Sequence, residues 1–277
     1  MPPEAEASPN SNDRVALDPL LKWPGGKRRL LPTIMPLIPT KYRHYYEPFL
    51  GGGAVFFALK PHSAWLSDAD SDLINCYGQV RDNREAVIRR LSKLRNSESD
   101  YYAVRATRPR ALDVKAARLI YLTTLSFNGI YRRNRNGDFN VPYGQKTHLK
   151  PCDKDRIVAA GAALRCARLK CVDFEEAVKS AGSGDLVYCD PPYTVAHGTN
   201  GFLKYNARIF SWADQVRLAG LARRLVKKGC HVLISNAHHP SLVELYKGFK
   251  CVIVSRPSTI AADVAHRRKT TECLFFA

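Results

Sequence analysis

Residues 45–59 read Tyr-Tyr-Glu-Pro-Phe-Leu-Gly-Gly-Gly-Ala-Val-Phe-Phe-Ala-Leu, and this stretch sets the class of fold that we predict. The first six residues are typical of a strand, the glycines of a turn, and the apolar run after them of a helix. A strand, a glycine turn and a helix open a nucleotide-binding βαβ unit. Phe56 stands where a dinucleotide fingerprint has its third glycine, which disfavours a pyrophosphate cradle. A simple strand-to-helix turn remains the alternative.

The rest of the chain continues the alternation of strands and helices. A second strand ends at Asp68, about 15 residues after the glycines, where an acid can hold ribose hydroxyls. Ser211 and Asp214 resemble a capping box that opens a helix running to about Lys228. We therefore predict an α/β fold with a mostly parallel sheet. The predicted strands are residues 45–50, 64–67, 169–172, 186–189, 231–234, 251–254 and 273–276.

Residues 185–193 read Asp-Leu-Val-Tyr-Cys-Asp-Pro-Pro-Tyr and carry the clearest chemical signal. The apolar run predicts a strand, which Pro191 and Pro192 must end because proline cannot donate to a ladder. Asp190 and Tyr193 then lie on a stiff turn at the carboxyl end of a strand, where ligands bind in open α/β sheets. An ordinary turn with a surface aspartate is the alternative.

Such a turn suits a reaction at an exocyclic amine. The nitrogen of an adenine amino group is a poor nucleophile because its lone pair is delocalised into the ring. If Asp190 and the Pro191 carbonyl accept both amine hydrogens, the nitrogen becomes more tetrahedral and can face an electrophile. Tyr193 could stack on the base and fix its plane.

The charge of the chain predicts a polyanionic partner. The net charge is +18, and residues 81–170 hold about 21 Lys/Arg against about 8 Asp/Glu. This region also breaks the alternation of strands and helices, since it contains helical stretches at 85–94 and 114–125 and a polar stretch at 128–150. We predict an insertion at residues 73–164 between two parts of a catalytic domain, 19–72 and 165–277, and a disordered leader at 1–18.

Cysteine and histidine usage argues against a metal centre or a disulfide framework. The eight cysteines form no Cys-x-x-Cys pair, which favours a reducing cytoplasm. The adjacent His238 and His239 have no acidic or cysteine partner at ligand spacing, so we expect no metal. No apolar stretch approaches the roughly 20 residues that span a bilayer.

Three further segments are candidates for binding, and each could instead be an ordinary loop. Residues 22–27 place Lys22, Trp23 and Lys27 around a Pro-Gly-Gly turn that could cover a cofactor. Residues 126–134 place flat and basic side chains on a turn that could fill the gap left by an extruded base and read guanine. Arg267 and Arg268 precede the last strand and could contact phosphates.

Taken in order, these motifs resemble the Dam-type DNA adenine-N6 methyltransferases of the α group. The resemblance covers nearly the whole chain from about Leu20 to Phe276. It rests on residues 22–27, 47–53, 68–73, Asn128-Gly129 with 137–144, and Asp190 to Tyr193. It implies a Rossmann-like methyltransferase sheet, mostly parallel with an antiparallel C-terminal strand, and an inserted helical target-recognition domain.

The resemblance also implies S-adenosylmethionine as methyl donor and assigns roles to particular residues. Asp68 would bind the ribose. A ribose role for Asp70 is less secure, because the family often has Asn at this position. Phe127 stands where the family often has a tyrosine, and it keeps the ring but lacks the hydroxyl group. The implied catalytic residues are Asp190, Pro191, Pro192 and Tyr193. The implied cofactor residues are Trp23, Lys27, Pro48, Phe49, Gly51, Gly53, Asp68 and Asp190. The implied DNA-binding residues are Lys22, Phe127, Asn128, Ile130, Arg132 and Pro142, joined by Arg267 and Arg268.

The sequence thus predicts a site-specific, base-flipping adenine-N6 methyltransferase of double-stranded DNA, for which the resemblance makes GATC a candidate site. An RNA methyltransferase and a non-catalytic DNA-binding protein of the same fold are the alternatives. We expect a monomeric, cytoplasmic enzyme of bacterial or phage origin, and a cognate restriction endonuclease is a candidate partner.

Overall fold

A seven-stranded sheet forms the centre of the protein, with the strand order β3-β2-β1-β4-β5-β7-β6. The computed structural model describes residues 17–134, 136–195, 210–257 and 269–277. The strands are β1 (Tyr45–Glu47), β2 (Ala64–Ser67), β3 (Ala167–Lys170), β4 (Leu186–Cys189), β5 (His231–Ala237), β6 (Lys250–Pro257) and β7 (Lys269–Phe276).

Only the last of these strands runs against the others. β1 pairs in parallel with β2 and β4, β2 with β3, and β4 with β5, whereas β7 is antiparallel to both β5 and β6. The predicted mostly parallel α/β sheet with an antiparallel C-terminal strand is confirmed.

Five of the seven strands differ from their predicted bounds. β5, β6 and β7 extend beyond the predicted ranges 231–234, 251–254 and 273–276, and β1 and β3 end earlier than predicted. β1 ends at Glu47 and not at residue 50, because Pro48 has no N–H to donate to a neighbouring strand. β3 covers residues 167–170 and not 169–172. Its last pair joins Lys170 to Ser67, where β2 ends, so the next residues have no strand to pair with.

Helices connect the strands and make up much of residues 73–164, the predicted insertion. The predicted helices at 85–94 and 114–125 are present with shifted ends. Ser211 and Asp214 form the predicted capping box, each side chain accepting the other residue's backbone N–H. The helices are α1 (Leu31–Ile34), α2 (Ala54–Leu59), α3 (Ser71–Asp82), α4 (Arg84–Leu91), α5 (Glu98–Ala106), α6 (Leu112–Leu125), α7 (Lys154–Ala163), α8 (Phe174–Ala177), α9 (Trp212–Lys227) and α10 (Pro240–Leu245).

The two faces of the sheet carry separate hydrophobic cores, since successive strand residues point to opposite sides. In β4, Leu186 and Tyr188 join the core that also holds α3, α4, α6 and α7. Val187 and Cys189 join the core that holds α8, α9 and α10. The first of these two cores therefore contains side chains of both the predicted insertion and the sheet. The division of the chain into domains stays a prediction.

The topology places several loops at one edge of the sheet. From β1 the chain moves outward through β2 to β3, and it returns to the other side of β1 with β4. In open sheets such a change of direction usually opens a ligand-binding crevice, here expected at the carboxyl ends of β1 and β4. The glycine turn follows β1 there, Asp68 follows β2 and Asp190 follows β4.

Candidate active site

Lys27 joins the N-terminal segment to the turn after β4. Its Nζ lies 2.7 Å from Asp190 Oδ1 and donates to the Gly25 carbonyl at 2.6 Å. It also lies 4.8 Å from the centre of the Tyr193 ring. The Lys27 side chain is only 4% exposed and that of Asp190 17%, so this ion pair is largely withdrawn from water. The structure thus brings Lys27 into contact with Asp190 and Tyr193, which the sequence analysis had placed in a separate motif.

The hydroxyl group of Tyr193 is bound by a buried acid. Its hydroxyl donates a short hydrogen bond to Oε2 of Glu272, a fully buried residue of β7. Burial and the nearby carboxylates of Asp190 and Glu272 raise the pKa of the Tyr193 phenol well above its usual value of 10. The phenol therefore stays neutral at physiological pH. Tyr193 can contact a ligand with its ring, but it is not suited to act as a base.

Two buried amides lie behind the proline turn. Asn236, near the end of β5, donates from Nδ2 to Gln215 Oε1 at 3.1 Å. Gln215 Nε2 lies 3.5 Å from the Pro192 carbonyl oxygen. Both amide side chains are fully buried. They support the turn that carries Asp190 and Tyr193 from the interior of the protein.

The glycine turn and Asp68 are bound to each other. Gly51 donates its N–H to Asp68 Oδ2 at 3.0 Å, and its carbonyl accepts from the Tyr77 hydroxyl at 3.1 Å. Gly51 and Gly53 both have positive φ angles, which glycine adopts without strain. A Cβ on Gly51 would meet Cδ1 of Trp23 at 2.9 Å, so Trp23 lies directly against bare backbone.

Burial sets the protonation of the acids at this edge. It raises the pKa of Asp68 to about 6, against the opposing effect of N–H donors from Asp70 and Gly51. It also raises the pKa of Glu47 well above its usual range, although the Tyr45 hydroxyl donates to this carboxyl group at 2.9 Å. Glu47 therefore favours the neutral acid, whereas Asp68 is mostly ionised near neutral pH.

The two residues that follow Glu47 differ in their surroundings. Pro48 ends β1 and begins the turn. The Phe49 ring packs against Phe174 and Phe210, with ring centres 5.4 Å and 5.5 Å apart. Their predicted part in cofactor binding stays a prediction.

Asp70 does not stand beside Asp68 as a second free acceptor for a ribose. Its carboxylate caps α3 by accepting the N–H groups of Asp72 and Leu73. It also accepts from the Tyr131 hydroxyl at 2.9 Å and from Arg133 at 3.2 Å. The part of Asp70 in ribose binding stays a prediction.

The predicted DNA-binding residues meet at a corner of the insertion. Phe127 and Ile130 are large apolar side chains that remain 49% and 38% exposed. Asn128 between them has a left-handed backbone, and so does Gly129. A Cβ on Gly129 would lie 2.5 Å from Cδ of Lys22. Lys22, from the N-terminal segment, therefore crosses directly over this corner.

Two other predicted DNA contacts belong to the same surface. Arg132 is exposed, and its Nε donates to the Asn140 side chain at 2.9 Å. Pro142 is exposed, and its carbonyl accepts the N–H of Phe127 at 2.9 Å. Arg267 and Arg268 lie outside the described residues.

His239 has a structural role that the sequence analysis did not foresee. Its Nδ1 accepts the N–H of Ser241 and so caps α10. Within residues 17–134, 136–195, 210–257 and 269–277, no group of three or more His, Cys, Asp or Glu side chains could hold a metal ion. No helix in this part of the chain is long and apolar enough to cross a membrane.

The sequence analysis missed several contributors to this site, among them Glu47, Glu272, Tyr131 and Arg133. Glu272 could have been noticed, because an acid that directly precedes an apolar strand run is unusual unless it is paired. Glu47 stood inside a motif that was noted for its glycines. Tyr131 and Arg133 gave no separate signal, since their partners are distant in sequence.

The family model described as D12 class N6 adenine-specific DNA methyltransferase matches residues 23–260. Over 272 residues the chain is 42% identical to a protein named type II methyltransferase M1.LlaDCHI from Lactococcus lactis subsp. cremoris, covering 95% of this chain and 96% of that protein.

Two further relatives give the same result. A protein named type II methyltransferase M.MjaIII from Methanocaldococcus jannaschii is 34% identical over 275 residues, which are 90% of this chain and 95% of that protein. A DNA adenine methylase from Escherichia coli (strain K12) is 31% identical over 261 residues, which are 92% of this chain and 93% of that protein. The match to the family model and the extent of these similarities show that the chain belongs to the D12 class of N6 adenine-specific DNA methyltransferases.

Proposed function

We propose that this protein is a site-specific DNA methyltransferase that transfers a methyl group from S-adenosylmethionine to the N6 amino group of adenine in double-stranded DNA. One observation carries the proposal. Asp190 and Tyr193 lie on a rigid turn at the edge of the sheet that also holds Asp68 and the glycine turn. The amine-orienting acid and the predicted cofactor residues therefore share one crevice.

The residues present fit the proposed cofactor. An adenosine with an amino acid tail needs acceptors for its hydroxyl groups, flat surfaces for its base and backbone that approaches closely. Asp68 supplies the carboxylate, Trp23 supplies a flat surface, and Gly51 supplies backbone without a side chain. When bound, S-adenosylmethionine supplies a methyl group on a positively charged sulfur.

Asp190 and the Pro191 carbonyl would orient the target amine. Each can accept one hydrogen of the amine, which turns the nitrogen lone pair toward the methyl group. The Lys27 ammonium, 2.7 Å from Asp190 Oδ1, forms an ion pair with this carboxylate and would hold it in position for the amine. Tyr193 would stack on the base. Fixed acceptors of this kind contribute by alignment and by preorganised charge.

The corner at residues 127–130 would prepare the duplex for this reaction. Rotation of a base out of the stack costs a few kcal/mol. Phe127 and Ile130, large and exposed, can occupy the space that the base leaves. Lys22 and Arg132 are placed beside them to reach base edges, and the basic insertion supplies salt-dependent attraction to phosphates.

A methylation map tests the proposal directly. The wild-type protein and the Asp190→Asn variant are expressed in a host that lacks adenine methylation, and modified bases are mapped across the genome. We expect N6-methyladenine at one short sequence motif, with GATC as the candidate, and none with the variant. Wild-type cells without N6-methyladenine, or equal methylation by both proteins, would contradict the proposal.

Assays with the purified protein test whether DNA or RNA is the substrate. Methyl transfer from labelled S-adenosylmethionine is measured on duplex DNA and on RNA of the same sequence. Transfer to RNA alone would establish the RNA methyltransferase alternative, and duplex binding without any transfer would establish a non-catalytic DNA-binding protein. We further propose a cytoplasmic monomer. A cognate restriction endonuclease is a candidate partner, because two of the relatives are named type II methyltransferases.

A further inference from the structure

The DNA-reading corner and the cofactor crevice are joined by one aromatic contact. Tyr131 belongs to the insertion and follows Ile130 in the chain. Its ring stacks on Trp23, with ring centres 4.2 Å apart and planes inclined by 21°. Trp23 in turn lies against Gly51. Trp23 therefore lies between a side chain of the insertion and the glycine turn at which the cofactor would bind.

Asp70 connects the same residue to the predicted ribose acid. The Asp70 carboxylate accepts from the Tyr131 hydroxyl at 2.9 Å and from Arg133 at 3.2 Å. The Asp70 backbone N–H donates to Asp68 Oδ1 at 3.0 Å. Arg133 also binds Asp72 Oδ2 at 2.7 Å. A continuous chain of hydrogen bonds thus runs from residues 131 and 133 to Asp68.

Side chains along residues 130–133 alternate between two surfaces. Ile130 and Arg132 are exposed on the predicted DNA side, whereas Tyr131 and Arg133 turn inward and are half-buried. Alternation of this kind follows from extended backbone. When this short segment binds a duplex through Ile130 and Arg132, the positions of Tyr131 and Arg133 must also become fixed.

We propose that Tyr131, Arg133 and Asp70 are positioning residues, which together couple cofactor binding to duplex binding. The inference rests on the proposed function. Tyr131 supplies an aromatic surface beside Trp23, and Asp70 holds Asp68 in place through its backbone N–H. Arg133 keeps Asp70 and the segment at residues 130–133 together.

The coupling must be reciprocal. If a bound duplex fixes Tyr131 against Trp23, the cofactor binds to a wall that is already ordered, and its affinity rises. The cofactor must then raise the affinity for the duplex by the same factor. Coupling between two binding sites usually amounts to about 5- to 150-fold in affinity, which is well within reach of a titration.

The test measures the dissociation constant of S-adenosylhomocysteine, the demethylated product, so that no transfer occurs. Titrations are made without DNA and with a saturating duplex that carries the sequence found by the methylation map. The variant combines Tyr131→Phe and Arg133→Gln. It removes the hydroxyl group and the cation that bind Asp70 and keeps the ring that stacks on Trp23.

A matched control makes the same two changes elsewhere on the insertion, with Tyr102→Phe and Arg108→Gln. Tyr102 is exposed, and Arg108 forms an exposed ion pair with Asp138 at 2.7 Å. The control therefore loses the same charge and the same hydroxyl group without touching Asp70. Thermal unfolding of all three proteins checks that each is folded.

We expect the duplex to tighten S-adenosylhomocysteine binding at least about fivefold in the wild type and the control, and less than twofold in the variant. Equal coupling in the variant and the wild type overturns the inference, and so does a wild type whose affinity is unchanged by DNA. A wild type that methylates DNA but shows no coupling leaves the proposed function standing. A wild type that binds no cofactor overturns the proposed function and the inference together.

Discussion

Lys27 and Asp190, which lie far apart in the sequence, form an ion pair of 2.7 Å. The contact links the segment before β1 to the turn after β4. Because the Lys27 side chain is almost fully buried, the pair is expected to matter for the stability of the protein.

Loss of one partner should cost more stability than loss of both. Lys27→Met keeps the length of the side chain and leaves the Asp190 carboxylate without this cation. Breaking a buried pair in this way costs about 3–5 kcal/mol. We expect the double variant Lys27→Met/Asp190→Asn to recover part of that loss when the free energy of unfolding is measured in urea. Additive losses in the double variant would show that the two residues do not interact.

Cofactor affinity should fall as the pH drops through about 6, because burial raises the pKa of Asp68 to about 6. Below this pH the carboxyl group gains a proton and becomes a poorer acceptor for ribose hydroxyls. The dissociation constant should rise by up to about tenfold per pH unit there. Calorimetric titration of S-adenosylhomocysteine between pH 5 and 8 measures this directly. The Asp68→Asn variant should bind more weakly and show a flat profile; a sloping profile would assign the proton to another group.

Protonation of Asp68 should weaken cofactor binding but should stabilise the folded, cofactor-free protein. The folded state binds this proton more tightly than the unfolded state, whose Asp68 has an ordinary pKa near 3.8. Its contribution to stability is therefore fully present below about pH 4 and is lost as the pH rises through 6. The difference in stability between the wild type and Asp68→Asn should follow this trend.

Gly129→Ala should weaken duplex binding more than Gly137→Ala does. Both glycines have positive φ angles, so an alanine is strained at either position. A Cβ at Gly129 would displace Lys22, whereas a Cβ at Gly137 meets no atom within 4 Å. Loss of one charged contact of about 1.5–3 kcal/mol lowers affinity about tenfold or more. Fluorescence anisotropy with a labelled duplex compares the two variants, and equal losses would show that Lys22 does not bind DNA from this position.

Phe127→Ala should slow methyl transfer more on a fully paired duplex than on a duplex with a mismatch at the target adenine. If Phe127 fills the gap left by the target base, its loss penalises a fully paired site most. A mismatch at the target adenine lowers the cost of extrusion and should restore much of the single-turnover rate. Leu112→Ala, which removes another exposed apolar side chain of the insertion, is the control. Equal slowing on paired and mismatched duplexes would argue against a role in base extrusion.

Most of the fold could be predicted from local patterns. β2 and β4 have the predicted boundaries, because Asp68 and Asp190 follow each apolar run directly. The capping box at Ser211 was also visible, since both of its members lie within one turn of helix. Each of these features depends on residues that are close in sequence, where the composition itself limits the backbone.

The supporting contacts of the site could not be predicted in this way. The Tyr193–Glu272 bond requires β7 to lie between β5 and β6, which no local pattern indicates. The stack of Tyr131 on Trp23 requires the insertion to fold back onto the N-terminal segment. Such contacts arise from packing between distant segments, and many alternative pairings share the same local sequence.

The sequence by itself determined which elements form, which residue types stand at the carboxyl ends of β1, β2 and β4, and where the positive charge lies. Only the tertiary structure decided that Lys27 binds Asp190, that Lys22 crosses Gly129 and that Asp70 faces the insertion and not open solvent. The reason is physical: propensity and periodicity act over a few residues, whereas a partner for a buried charge or an aromatic face is selected by how the whole chain packs.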